Sequence, residues 1–401
     1  MPSADLMQVK VTKRGATMAG EEVSTWEEVS KRHLEWSKTQ GYILTGGGKA
    51  ESYYTAERGF PFEEHELPHY HLSRGATTVF GEWTKTKDPC QIVAGVWNRP
   101  LFAGGWKHTT EADELVYNVQ TYNLFVDLRI PTSRKLCLES SGSEVNSMDA
   151  LTPEQLRVYA RQHVFAGFSV FSRQDGKHFC TRHHCIDWNY VGTPRTRPNK
   201  WWIELNEDKT QWKEHSWAKD DHGHSYYFER WQRAIGNTTL PRLALRKSGQ
   251  HTRDGILVVV GDHFNYVLAR DLTGNETRYP EQKSLVELVD AAIEAGDLTT
   301  ARSYLSIEAG HGRVSDGFKL DLAIPPWNEG KPLWNKDEIK LEGDSLQSFH
   351  FIWRNEKWEL YDCSFGTLAE LKHFFHGKRS SSEPPAADTS FHPSKVARLE
   401  S

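Results

Sequence analysis

His178-Phe179-Cys180-Thr181-Arg182-His183-His184-Cys185-Ile186-Asp187-Trp188 is the stretch on which the reading of this chain turns. Alternate residues of a β-strand share a face. Strict alternation puts Thr181, His183, Cys185 and Asp187 on one side and Cys180, Arg182, His184 and Ile186 on the other. Neither side is apolar throughout, whereas a strand lying over an oily core alternates cleanly. Such mixed faces suit a barrel that keeps polar groups inside, around a ligand or a reaction.

The same texture extends outward from Phe165 to Arg233, as short runs of β-branched and aromatic residues split by turn residues. Strands are expected at 77–84, 92–97, 104–109, 115–121, 123–131, 166–172, 178–190, 200–205, 211–217, 224–231, 242–247, 255–260 and 263–271. More follow at 303–308, 314–322, 338–341, 348–354 and 358–363. Helices are expected at 26–40, 152–163, 285–295 and 365–375. The first begins at Thr25, with Glu28 three residues on as in a capping box. Many strands at short spacing with few helices indicate a mainly β fold, a barrel or sandwich. No βαβ alternation and no glycine-rich phosphate loop is present, which disfavours nucleotide-binding folds. The expected organisation is a flexible N-terminus (1–24), a helix with a first β-region (25–150), a main barrel region (151–376) and a tail of disordered composition (377–401).

Only 37% of the 401 residues are apolar, but 15 Trp, 14 Tyr and 18 Phe offset this, since each aromatic buries a large area. The net charge of −5 is spread along the chain and forms no basic stripe, so nucleic acid is not an expected partner. The five cysteines are too few, and odd in number, for a disulfide framework. Without an apolar signal core at Met1–Asp5 or a membrane-length apolar run, a cytoplasmic protein with no membrane partner is expected.

Val119-Gln120-Thr121 through Leu124-Phe125-Val126-Asp127-Leu128-Arg129-Ile130-Pro131 resembles a signature strand of lipocalin-like (calycin-type) β-barrel proteins, a largely uncharacterised microbial group. The resemblance continues through Phe165-Ala166-Gly167, His183, Ile186-Asp187-Trp188 and Glu229-Arg230-Trp231-Gln232-Arg233, and ends at Gly261-Asp262-His263-Phe264-Asn265-Tyr266. It covers roughly residues 95–275. It implies a lipocalin-like barrel, one large or two smaller, with a few peripheral helices. It brings no agreed chemistry.

Several constellations carry chemistry on paper. Asp127 and Arg129 interrupt an apolar strand, His183 and Asp187 are two strand steps apart, and Glu229, Trp231 and Arg233 share a face. An Asp beside a His orients the ring and raises its basicity, and an Arg can hold an anion by a bidentate contact. The alternative is a set of ion pairs on a solvent face. His65-Glu66-Leu67-Pro68-His69 spells the zinc-protease pattern, but Pro68 breaks the helix which that pattern needs. His65, His69 and His71 remain weak metal candidates. Cys180 with His183, His184 and Cys185 has zinc-like residue types at the wrong spacing. Asp221-His222-Gly223-His224 reads as a hairpin turn, and so does Gly261-Asp262, with His263, Asn265 and Tyr266 beside it at a barrel mouth.

The expectation is an enzyme that needs no cofactor and performs isomerisation, cyclisation or elimination on a small, partly hydrophobic ligand. His183 is its acid–base group, Asp187 the orienting partner, Arg129 the anion holder and Tyr266 a second donor. Trp188 and Trp231 are stacking walls, and Glu229, Asp127, His263 and Asn265 further ligand contacts. The alternatives are a carrier with the same pocket and no turnover, and a scaffold whose strands or tail dock a partner protein.

Overall fold

Strand-forming residues dominate the computed structural model, which describes residues 17–18, 21–22, 93–104, 108–122, 124–134, 145–174, 177–189, 199–215, 227–235, 241–247, 253–271 and 285–376. The expected helix at 26–40, the strand at 77–84, the histidines at 65, 69 and 71, the turn at 221–224 and the tail after 376 lie outside the described residues. A small hairpin pairs β1 (Thr17–Met18) with β2 (Glu21–Glu22).

The first large sheet contains β3 (Gly95–Gly104), β4 (His108–Thr110), β5 (Glu114–Gln120), β6 (Leu124–Pro131), β7 (His163–Gln174), β8 (Lys177–Asp187), β9 (Asn199–Leu205), β10 (Gln211–His215) and β11 (Tyr227–Ile235). It runs in the order β11-β10-β9-β8-β7-β6-β5-β3-β4, and β11 also pairs with β3. Eight antiparallel strands therefore close into a barrel, with β4 as a side strand on β3. β3 runs on past the end of the strand expected at 92–97, because it serves three neighbours along its length, β5, β11 and β4, and β4 holds the last residues of the strand expected at 104–109. The closed barrel spans 95–235, so it crosses position 150, where the sequence reading placed a boundary.

The second sheet has the order β16-β15-β14-β13-β12-β19-β18-β17. Its strands are β12 (Arg242–Lys247), β13 (Gly255–Val260), β14 (His263–Leu268), β15 (Glu308–Arg313), β16 (Lys319–Ala323), β17 (Ile339–Glu342), β18 (His350–Trp353) and β19 (Glu356–Cys363). Gly261-Asp262 makes the expected two-residue hairpin between β13 and β14, with Gly261 at φ +60°. Among the described residues four α-helices pack around the sheets: α1 (Pro153–Tyr159), α2 (Leu285–Glu294), α3 (Leu298–Tyr304) and α4 (Leu368–His376). Thr152 and Gln155 cap α1 reciprocally. The segment 298–304 is helical where only a strand at 303–308 was expected, and Asp297 caps it by accepting from the Thr300 N–H.

Alternation along the strands sorts side chains into three cores. Outward residues of the barrel, Val119, Leu124, Val126, Leu128, Ile130, Val164 and Ala166, meet Ala244, Ile256, Val258, Val260, Val267 and Ala309 of the second sheet. The other face of the second sheet, Leu257, Val259, Phe264, Tyr266, Phe351 and Trp358, closes on its own aromatic core under Phe375 of α4. β13 and β14 are buried along their whole length because both faces are covered. The third and smallest apolar cluster, around Trp97, Trp212 and Trp231, lies inside the barrel.

Candidate functional site: the barrel interior

The inward positions of β3, β5, β6, β8, β10 and β11 carry far more charge than a core of this size tolerates without pairing. Trp97 and Trp212 stack at 5.2 Å, and Trp231 meets Trp212 edge-on at 6.0 Å. Cross-strand register sets Trp212 opposite Trp231 and, two residues on, Glu214 opposite Glu229. Arg99 bonds Glu114 and also Glu229, the latter at 2.6 Å. Arg129 bonds both oxygens of Asp127, at 2.9 and 3.0 Å, and Glu229 at 3.2 Å. Arg182 reaches Asp127 at 3.1 Å and lies 5.6 Å from the Trp231 ring. The strand face bearing Asp127 and Arg129 is thus the barrel interior rather than solvent, and Glu229 and Trp231 share it.

These groups hold distinct protonation states. Burial would raise the Asp127 pKa, but the guanidinium of Arg129, aided by Arg182 and Arg99, holds it below the ordinary carboxylate range. Glu214 goes the other way: burial and the neighbouring Glu229 carboxylate push it up to about 8, despite Arg182 and Arg129. No arginine bonds Glu214 among the described residues. Polar atoms around it are also unmet there, namely Nε and Nη2 of Arg182, Oε2 of Glu214, Oε2 of Glu229, Nε1 of Trp212 and Nε1 of Trp231. Both side-chain polar atoms of Asn118 and of Gln120 are in the same condition. Buried polar atoms are paired as a rule, so a cluster of unmet ones needs a bound molecule or ordered water to satisfy it.

A β-bulge re-aims the stretch 178–188. β7 and β8 pair Ala166 with Ile186 but Gly167 with His184, so Cys185 is the extra residue. Parity inverts there, and His184 instead of His183 comes onto the same face as Asp187. Nδ1 of His184 lies 2.6 Å from Oδ2 of Asp187, and its ring stacks on Phe165 at 4.7 Å. The other face of Phe165's neighbourhood is taken by Arg129, whose guanidinium centre is 4.6 Å from the ring. Gly167 is required at the bulge: a Cβ there would sit 1.8 Å from the His183 carbonyl oxygen.

The structure therefore separates the four residues expected to act together. Arg129 and Asp187 line the barrel. His183 faces outward, stacked on Phe168 at 4.5 Å, and burial followed by the charge of His184 drives its pKa well down. Tyr266 points into the aromatic core of the second sheet, where burial raises its pKa. Trp188 is also outside the barrel, with its indole N–H donating to the Ala160 carbonyl at 2.9 Å. Asn265 and His263 lie between the sheets. Asn265 donates to the carbonyls of Tyr117 (2.9 Å) and Val126 (2.8 Å), while its Oδ1 faces His311 at 2.8 Å. His311 also contacts His263 at 3.2 Å and stacks on Tyr117 at 3.9 Å. These two are docking contacts rather than features of a barrel mouth.

Glu214, Arg99, Glu114 and Arg182 were not singled out from the sequence, and His184 entered only the zinc-like set with Cys180, His183 and Cys185. The alternation Trp212-Lys213-Glu214 opposite Glu229-Arg230-Trp231 was the available signal, since it sets an acid beside a Trp on one face of both strands of a hairpin. Among the described residues no group of three or more His, Cys, Asp or Glu is placed to hold a metal ion, and no helix is long and apolar enough to cross a membrane.

No family model matches the sequence, and no curated protein matches it. Among solved structures the chain is similar to the crystal structure of the uncharacterized protein YLR301w from Saccharomyces cerevisiae, with 14% identity and a TM-score of 0.38. The match covers 67% of this chain and 98% of that one.

Proposed function

We propose that the first barrel binds a small molecule in its interior, in the manner of the lipocalin-like proteins that the sequence resembles. One observation carries the reading: the unmet buried polar atoms of Arg182, Glu214, Glu229, Trp212 and Trp231 gather in one place. Donors and acceptors are both present, beside flat indole faces. With Glu214 protonated, the guanidiniums of Arg99, Arg129 and Arg182 are matched by Glu114, Asp127 and Glu229. An uncharged ligand keeps that balance in a low-dielectric interior, where an unmatched charge is costly.

A second reading, turnover of that ligand, is favoured by Glu214 itself. A buried carboxylic acid that titrates at about 8 has the poise of a general acid–base group at neutral pH. The His184–Asp187 pair is a further candidate for proton transfer. Native mass spectrometry of the purified full chain, beside its denatured mass, tests the first reading. A retained organic mass that is lost in Arg182→Ala supports an interior site. A bare chain mass, with no stabilisation by any compound of a small-molecule library, removes it. Turnover of the retained molecule by wild type but not by Glu214→Gln separates enzyme from carrier.

A further inference from the structure

Among the described residues three acids beside Glu214 in the polar interior have an arginine: Glu114 takes Arg99, Glu229 takes Arg99 and Arg129, and Asp127 takes Arg129 and Arg182, while Asp187 takes His184. Glu214 has none among the described residues, and its Oε2 is buried without a hydrogen-bond partner. Directly across the strand pair stands Glu229, already committed to two guanidiniums. On the β9 side its neighbour is the apolar Ile203. Two carboxylates held side by side in a buried interior do not both stay ionised, and Glu229 is the one with counter-ions.

We infer that Glu214 holds its ligand as a neutral carboxylic acid, and that the ligand is an uncharged, flat molecule presenting a carbonyl next to an N–H, as along the edge of a cyclic amide. This rests on the interior-site reading above. A neutral carboxyl group offers one O–H donor and one carbonyl acceptor on adjacent atoms. An amide edge is its complement, so two hydrogen bonds form side by side and both partners remain uncharged. A carboxylate ligand would face Glu229 and Glu214. A cationic one would face Arg182, Arg129 and Arg99. The indoles of Trp212, stacked on Trp97 along one face, and of Trp231 add flat apolar surface and buried N–H donors without partners.

Recognition of this kind depends on the proton. The groups acting on Glu214 are Glu229 on β11, Arg182 and Cys180 on β8 and Asp127 and Arg129 on β6, with Arg99 on β3 and Glu114 on β5 linked to them through Glu229. The Cys180 thiol is pushed up to about 12 by burial, and the Asp127 carboxyl is held low. Glu214, pushed up to about 8 by burial and by Glu229, changes charge between pH 6.5 and 9.5.

The test uses the full chain, checked for folding by circular dichroism, with 2-pyridone as the probe and 2-methoxypyridine as its counterpart lacking the N–H. Binding is read by calorimetry and ligand-observed NMR at pH 6.5 and 9.5. Wild type is expected to bind 2-pyridone at pH 6.5, to bind it at least tenfold more weakly at pH 9.5, and to ignore 2-methoxypyridine. Glu214→Gln keeps a donor and an acceptor without a titrating proton, so it binds 2-pyridone equally at both pH values. Glu214→Ala binds it at neither. Equal binding of both probes, a pH dependence that survives in Glu214→Gln, or a charged molecule as the retained native ligand overturns the inference and leaves the interior site standing. Failure of every probe together with a bare native mass removes the site itself.

Discussion

Asp127 shows what one residue does in this interior. Its carboxylate joins Arg129 and Arg182, and both guanidiniums are largely withdrawn from water. Breaking a buried ion pair by removing one partner strands the other charge and typically costs about 3–5 kcal/mol. Asp127→Ala is therefore expected to lose that amount in urea unfolding, whereas Asp127→Asn, which keeps a hydrogen-bond acceptor, loses less. Gly167 acts through geometry. With a Cβ 1.8 Å from the His183 carbonyl oxygen, the bulge cannot persist in Gly167→Ala. A loss of about 1–3 kcal/mol or more is expected from the forced backbone shift, along with loss of the His184–Asp187 hydrogen bond, seen in the imidazole NMR signals. Glu214 contributes to pH dependence with a definite sign. Its folded pKa, about 8, lies above the ordinary carboxyl value of 4.5. Between those values the folded protein holds a proton that the unfolded chain releases, so its contribution to stability falls as pH rises through that window. Glu214→Gln removes this slope and is expected to be more stable than wild type at pH 8, measured by thermal unfolding.

At the scale of the element, β14 alternates between two buried environments. His263, Asn265 and Val267 face the barrel, and Phe264, Tyr266 and Leu268 face the second core. Asn265 ties β14 to carbonyls of β5 and β6, so Asn265→Ala leaves these acceptors and His311 unmatched. Net loss per buried hydrogen bond is about 1 kcal/mol, giving an expected destabilisation of about 2–3 kcal/mol by denaturant titration. His311 has its pKa driven well below 6.5 by burial, then by His263 and Arg313. Below pH 6.5 the unfolded chain takes up a proton that the folded one refuses, so this contribution is present above 6.5 and fades as pH falls. Between pH 7.5 and 5.5, His311→Gln is expected to lose less stability than wild type.

The same scale shows how much was legible in the chain. The strands at 242–247 and 255–260, and the helix start at Leu285, have the bounds that their residue patterns indicate. The mixed faces of 178–188 pointed to polar groups inside a barrel, whereas for Asp127–Arg129 an interior site and an ion pair on a solvent face were equally compatible with the residue pattern. The bulge at Cys185 was not legible, because one extra residue opposite Gly167 inverts parity without altering composition. His183 was therefore favoured where His184 faces inward.

For the whole molecule, the outer face of the barrel and one face of the second sheet share a single core. Arg270 adds a clamp, donating to the carbonyls of Asp187, Trp188 and Tyr304. Arg134 adds another, reaching Gln162, the Ala323 and Ile324 carbonyls and Glu329. Neither sheet can bury its apolar face alone. A fragment covering 93–240 is expected to aggregate or stay unfolded, and the intact chain to unfold in one transition, with tryptophan fluorescence and far-UV circular dichroism coincident. Residue pattern alone determined that this is a strand-rich chain with ionisable residues set into apolar strands, because alternation and turn chemistry are local properties. Which strands close on each other, which face becomes an interior and which acid is left without a cation were decided by tertiary structure. Those outcomes depend on pairing between residues such as Arg99 and Glu229, 130 positions apart, which local pattern does not encode.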